Sequence, residues 1–206
     1  MRNLESRGIS DACETYAQAV IASSTGPVFV DDVIMGTGSL RLRALDEADA
    51  EAVAEGCADA ETLRWLPLPT PYPRDLAAEW IRDDVPLQRT SGRGIVRAIE
   101  YDGAFCGVID LKKTNWRALT TEIGFWVMPA ARGQGLAGRA SRLLSDWAME
   151  MAGIERVEIR SATGNFGSQR SAVAAGFTQE GVLRSAGIVH GGRVDLVVFG
   201  RTRDDV

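Results

Sequence analysis

The segment with the most chemistry in it is Met128-Pro-Ala-Ala-Arg-Gly-Gln-Gly-Leu-Ala-Gly138, set between a strand-like run and a long helical pattern. Its glycines let the backbone come close to a ligand, and free N–H groups at a helix start seat an anion. Arg132 adds a fork of donors suited to a pyrophosphate. Three kinds of phosphate binder compete for such a loop. A P-loop needs Gly-Lys-Ser/Thr, and the segment holds no lysine. A dinucleotide fingerprint is met to the letter by Gly133-x-Gly135-x-x-Gly138, with Glu158 about twenty residues on for a ribose. Two features oppose it. Pro129-Ala-Ala-Arg132 separates the first glycine from the strand, and the preceding chain makes hairpins rather than parallel βα units.

The third reading rests on Arg132-x-x-Gly135-x-Ala137, which resembles the acyl-CoA signature Gln/Arg-x-x-Gly-x-Gly/Ala of the GNAT superfamily. Thr121-Glu-Ile-Gly-Phe-Trp-Val-Met-Pro129 resembles the strand that enters this loop in the ribosomal-protein N-acetyltransferase (RimJ/RimL-like) branch. Asn165-x-x-Ser168-x-Arg170, then Gly176-Phe177, is similar to that branch's segment after the fifth strand, and the order of elements follows the family from about Ser39 to Arg203. The resemblance implies an α/β GNAT fold: a mixed, mostly antiparallel sheet of six to seven strands flanked by about four helices. It implies an enzyme that moves an acetyl group from acetyl-CoA to a primary amine, a protein N-terminus or a small molecule, by direct attack in a ternary complex. Acetyl-CoA is then a co-substrate, and no metal is expected. The backbone at Trp126 would meet the thioester oxygen, with Val127 and Met128 beside the pantetheine. Arg132, Gly133, Gln134, Gly135, Leu136, Ala137 and Gly138 would hold the diphosphate, and Asn165 the pantetheine arm.

Acetyl transfer needs a neutral nucleophile, a held thioester, a stabilised oxyanion and a proton for the leaving thiolate. Glu122 shares one face of its strand with Gly124 and Trp126, and it is similar to the glutamate that serves other GNAT enzymes as general base. A structural Glu in a salt bridge explains it as well, and Asp110 is a substitute. Many GNAT enzymes protonate the thiolate with a tyrosine, but this chain has Ala172 where it would fall. Ser168 is the nearest hydroxyl and resembles the serine of the RimJ/RimL-like branch; a helix N-cap is the competing reading. His190, the sole histidine, stands before Gly191-Gly192 where a solvated turn residue is expected. Cys106 lies in an apolar run and reads as core. Trp65, Tyr72, Trp80 and Asp195 are the candidates for the acceptor side, although aromatics on such elements are more often core.

The elements that must position these residues are legible in outline. Leu40–Leu45 alternates as a half-buried strand, and Asp46 caps a helix running to about Cys57. The prolines of Trp65–Pro73 forbid helix and central strand. A helix starts near Arg74, and Pro86 marks its end or a kink. Ile95–Tyr101 and Ala104–Leu111 flank Asp102-Gly103, a hairpin signal. The strand Thr121–Met128 leads to the long helix with Leu136, Ala140, Leu144 and Trp147 on one face. A strand at Val157–Ser161, a helix at Ser168–Ala175 and a last hairpin around Gly191-Gly192 complete the order. Residues 1–38 read as an extension, with a weak helical patch around 10–22, and residues 39–204 as the catalytic domain.

Composition sets outer bounds. The 206 residues carry a net charge of −5, which opposes a dedicated nucleic-acid binder. Cys13, Cys57 and Cys106 are too scattered for a disulfide framework or a zinc site. No apolar run approaches membrane-span length. A cytoplasmic protein is expected, with acetyl-CoA and an amine acceptor as partners, no nucleic acid or membrane, and a homodimer left open. The alternatives are a non-catalytic CoA-binding or partner-binding module, and a transferase for a larger donor such as succinyl-CoA.

Overall fold

A computed structural model describes residues 29–205. The patch expected around 10–22 lies outside the described residues. Eight strands form one sheet: β1 Ile34–Met35, β2 Arg41–Arg43, β3 Ile95–Tyr101, β4 Ala104–Asn115, β5 Thr120–Val127, β6 Arg156–Ala162, β7 Thr178–Val189 and β8 Gly192–Thr202. Their spatial order is β1-β2-β3-β4-β5-β6-β8-β7. Every neighbouring pair is antiparallel except β5 and β6. That exception follows from connectivity, because a sixteen-residue helix, α5 Leu136–Met151, carries the chain back across the sheet between them.

Hairpins set the register elsewhere. Asp102 and Gly103 take φ of 51° and 78°, the left-handed pair that a two-residue turn between twisted strands demands. The β7–β8 turn is shifted one residue from the expected Gly191-Gly192. Val189 pairs with Gly192, so the turn is His190-Gly191 and His190 is exposed.

The remaining helices are α1 Ala50–Ala58, α2 Ala60–Trp65, α3 Arg74–Glu79, α4 Val85–Thr90 and α6 Phe166–Ala174. Asp46 caps a short 3-10 turn ahead of α1 with a reciprocal Asp46/Asp49 capping box. Pro86 does not end its helix. The helix runs on from α3 through one π-turn, Trp80–Asp84, into α4, and Pro86 follows that turn directly, where the widened ladder absorbs its missing N–H. On one face of the sheet, Ile99, Ile109, Leu111 and Ile123 bury against Leu136, Leu144 and Trp147 of α5. On the other, Val96, Ala98 and Val108 bury against Val53 and Ala54 of α1 and Ala77 of α3. The fold is thus an α/β/α sandwich.

The eighth strand comes from the stretch read as an extension. Phe29 is buried, its ring 5.0 Å from Trp116 and 6.1 Å from Trp147. Asp31 pairs with the buried guanidinium of Arg97 at 2.9 Å, and β1 adds to β2. Single short strands and lone aromatics carry no periodicity, which hid this segment's packing.

Candidate functional site

The feature that makes a site is a parting of strands. β4 and β5 stay paired as far as Gly107 and Val127, and β6 stays on β8 as far as Ala162 and Leu196. β5 and β6 pair only up to Ile123 and Ile159. Beyond that point Gly124–Val127 and Arg160–Ala162 face an opening rather than each other, so backbone groups on the inner edges are left for a ligand. The starts of α5 and α6, the β7–β8 hairpin, and Trp65, Leu66 and Trp80 wall a cleft of about 730 Å³ around it.

The start of α5 opens onto this cleft. Gly133 and Gly135 take φ of 77° and 73°, and a Cβ at either would touch nothing. Gly135 is the N-cap residue, with no side-chain cap and no acidic residue in the first turn. The α2 and α6 helices, by contrast, are capped by Asp59 and Asn165. The first bond of α5 joins the Arg139 N–H to the Gly135 carbonyl, so the amides of Leu136, Ala137 and Gly138 point forward without an intrahelical acceptor. With the positive end of the helix dipole they form a seat for an anion.

Arg132 lines the cleft, but its guanidinium is engaged away from this seat. Its guanidinium pairs with Asp59 and bonds the Thr62 hydroxyl at 3.2 Å and the Val127 carbonyl at 3.2 Å. Arg132 holds the Asp59 carboxyl below the usual carboxylate range. Gln134 turns back to the Ala130 carbonyl at 2.9 Å and does not line the cleft. Gly138 lines it and also lets α5 approach α6, where a Cβ would press on Ala174 and the Ser171 carbonyl.

Of the strand residues, Trp126 and Val127 line the opening, while Met128 continues the β4 ladder through its N–H to Cys106 at 2.8 Å and stays outside it. Trp126 lies against Gly56 of α1, where any side chain would collide with the indole. Asn165 and Ser168 both line the cleft. The cap of α6 is Asn165, whose side-chain oxygen accepts the Ser168 N–H at 3.0 Å, so the helix starts earlier than expected and Ser168 is not its cap. The Ser168 side chain thus has no capping role. Ala172, in the family's tyrosine position, is fully buried and outside the lining.

On the acceptor side, Trp65 and Trp80 line the cleft. The Trp65 indole N–H donates to Glu61 at 2.7 Å and its ring reaches Gly164 across the mouth. Tyr72 and Asp195 are elsewhere. Tyr72 packs under α1 against Cys57, and burial pushes its phenol to about 12 and that thiol to about 11. The Asp195 carboxylate is taken by the Ser185 N–H at 2.7 Å, which ties down an irregularity in β7.

Glu122 is likewise outside the lining. It lies below the parting, where β5 and β6 are still paired, and three cations surround its carboxylate: Lys113 at 2.8 Å, Lys112 at 3.7 Å and Arg160 at 3.8 Å. Its carboxylate is therefore engaged by these cations and is not open to the cleft. The carboxylate at the parting is Asp110. It accepts the Gly124 N–H at 2.8 Å, and only a glycine opposite leaves room for it. Asp110 was legible as an acid in the otherwise apolar run Cys106–Leu111; what the pattern hid was where β5 leaves β6.

A family profile described as "Acetyltransferase (GNAT) domain" matches residues 39–178. The chain belongs to the GNAT acetyltransferase family. It is 32% identical over 163 residues, 78% of this chain and 89% of the relative, to "Putative ribosomal N-acetyltransferase YdaF" of Bacillus subtilis (strain 168). A crystal structure described as that of a probable acetyltransferase is 30% identical, with a TM-score of 0.77, covering 84% of this chain and 98% of the other. RimL, a ribosomal alpha-N-protein acetyltransferase solved with coenzyme A, shares the fold with a TM-score of 0.77 at 21% identity, covering 85% and 100%. As a GNAT acetyltransferase the chain is an enzyme whose reaction is acyl transfer to an amine.

Proposed function

We propose that this GNAT chain transfers the acetyl group of acetyl-CoA to the α-amine of a protein N-terminus, by direct attack within a ternary complex in the cytoplasm, with residues 39–204 as the catalytic domain. The observation that carries the reading is the parting of β5 from β6 directly in front of an uncapped helix start. A diphosphate on the amides of α5 and an amide-bearing arm in the opening would bring a thioester to the head of the parting. The protein acceptor is supported by the name of the YdaF relative.

In this reading acetyl-CoA supplies an activated acyl carbon. The Leu136 and Ala137 amides hold its diphosphate, and the exposed edge of β5 at Trp126 and Val127 orients the acyl arm. The Ser168 hydroxyl donates a proton to the departing sulfur. Trp65 and Trp80 limit water at the acceptor side.

The test is stoichiometric CoA release with peptides bearing ribosomal-protein N-termini, set against polyamines and aminoglycosides. Turnover concentrated on peptides is the expected result. Turnover on a small amine alone would reassign the acceptor, and competition between acetyl-CoA and succinyl-CoA would identify the donor.

A further inference from the structure

We propose that Asp110, at the head of the parting between β5 and β6, is the catalytic residue that receives the acceptor amine and takes its proton. The inference rests on acetyl transfer occurring in this cleft, and it deepens that reading by assigning a reacting group.

Three observations converge. First, among the described residues the carboxylates lining the cleft are Asp110 and Glu61. Glu61 is exposed at the mouth and engaged by the Trp65 indole, whereas Asp110 sits where the strands separate. Second, Asp110 is anchored. Its Oδ1 accepts the N–H of Gly124, the first β5 residue beyond the last β5–β6 pair, so the carboxylate is fixed at the point the acyl arm must reach. Third, the environment suits a base working near neutrality. Burial pushes the Asp110 carboxyl up from its ordinary value, against the pull of Lys112 and of the Gly124 amide.

The charged groups around it come from several elements. Lys112 and Lys113 lie on its own strand, Glu122 faces it from β5, and Arg160 from β6 lines the same cleft. β3 presents Val96 opposite Asp110, and Trp80 of the π-turn and Glu61 of α2 line the cavity beyond. Lys112, Lys113 and Arg160 are engaged by Glu122, and Arg160 also by Glu158 of β6 at 2.8 Å. Asp110 has no ion pair of its own among the described residues, which leaves it for an incoming ammonium.

The step balances as follows. The bound ammonium gives one proton to the Asp110 carboxylate, and the freed lone pair forms the C–N bond at the thioester carbon. The C–S bond breaks with its electron pair going to sulfur. The second proton on nitrogen ends on sulfur, giving the amide and the free thiol, and Asp110 returns its proton to water through the cleft mouth.

The experiment is the pH profile of kcat for the wild type, Asp110→Asn, Asp110→Glu and Glu122→Gln, with acetyl-CoA affinity measured on each by calorimetry. A base acts deprotonated, so the wild-type rate falls as pH drops through a limb displaced above the ordinary carboxylate range. Asp110→Asn is expected to lower kcat on the order of 10²-fold to 10³-fold and to abolish that limb, with acetyl-CoA affinity kept within about twofold. Asp110→Glu restores part of the rate, and Glu122→Gln keeps the limb. An unchanged limb in Asp110→Asn, or its loss in Glu122→Gln, overturns the assignment. Direct NMR titration of the Asp110 carboxyl in the ligand-free protein gives a readout independent of turnover. A midpoint in the ordinary carboxylate range overturns the proposal even if the enzyme is active. A wild type that binds acetyl-CoA and shows no turnover on any amine overturns the reading of the function instead.

Discussion

Asp110 and Glu122 face the same side of adjacent strands, yet the ground beneath them differs, and the difference should appear in stability. The folded-state pKa of Asp110 is raised, so its contribution to stability is greatest while it is protonated and is lost as pH rises through that value. At neutral pH, Asp110→Asn should therefore melt at or above the wild type, and the advantage should shrink on acidification. Glu122→Gln removes the carboxylate charge that Lys113, Lys112 and Arg160 share, with Arg160 alone keeping a second partner in Glu158, which should cost about 1–3 kcal/mol at pH 7. Paired thermal melts at pH 4.5 and 7 check both. A loss of stability in Asp110→Asn at pH 7 would show that the site is structural rather than poised. A second residue-scale prediction concerns Asp59, whose charge occupies Arg132 beside the anion seat. Asp59→Asn keeps an adequate cap on α2 and frees the guanidinium. Acetyl-CoA should bind about threefold tighter by calorimetry, the scale of a part-exposed ion pair.

At the scale of elements, the loop into α5 works because two glycines adopt left-handed backbone and the helix carries no cap of its own. Gly135→Glu forces a residue with a Cβ into φ of 73° and sets a carboxylate at the anion seat. Acetyl-CoA binding should fall below detection in calorimetry while the melting temperature drops only a few degrees. The loop, the long helix and the Asp102-Gly103 hairpin were legible in the sequence because each rests on local rules, glycine spacing, apolar period and turn chemistry, while the last hairpin was legible to within one residue. The start of α6 was not, because Asn165 and Ser168 both suit a cap and only the geometry decides between them. Nor was the site of Glu122. Strand alternation placed it on the same face as Gly124, but how far β6 accompanies β5 is a pairing between residues some thirty-six positions apart, from Ile123 to Ile159, which no local pattern encodes.

The whole molecule adds a constraint that neither residue nor element shows. The sequence suggested a domain from residue 39, and the family profile also begins there. Yet Phe29 and Ile34 are buried, and Asp31 offers the buried Arg97 its carboxylate. A chain beginning at residue 39 would expose the surface those two side chains cover, about 1.5–3 kcal/mol each. It would also take from the Arg97 guanidinium the half-exposed Asp31 carboxylate and the Val30 carbonyl, about 1–3 kcal/mol. Together that is of the same order as the 5–15 kcal/mol that holds an ordinary domain folded. The full-length protein should therefore melt cooperatively, and a chain beginning at residue 39 should lose its cooperative transition in a circular-dichroism melt. Asp31→Asn in the full-length chain should fall between them. Should the shorter chain melt within about two degrees of the full-length protein, Phe29, Asp31 and Ile34 would be lying on a domain that is complete without them.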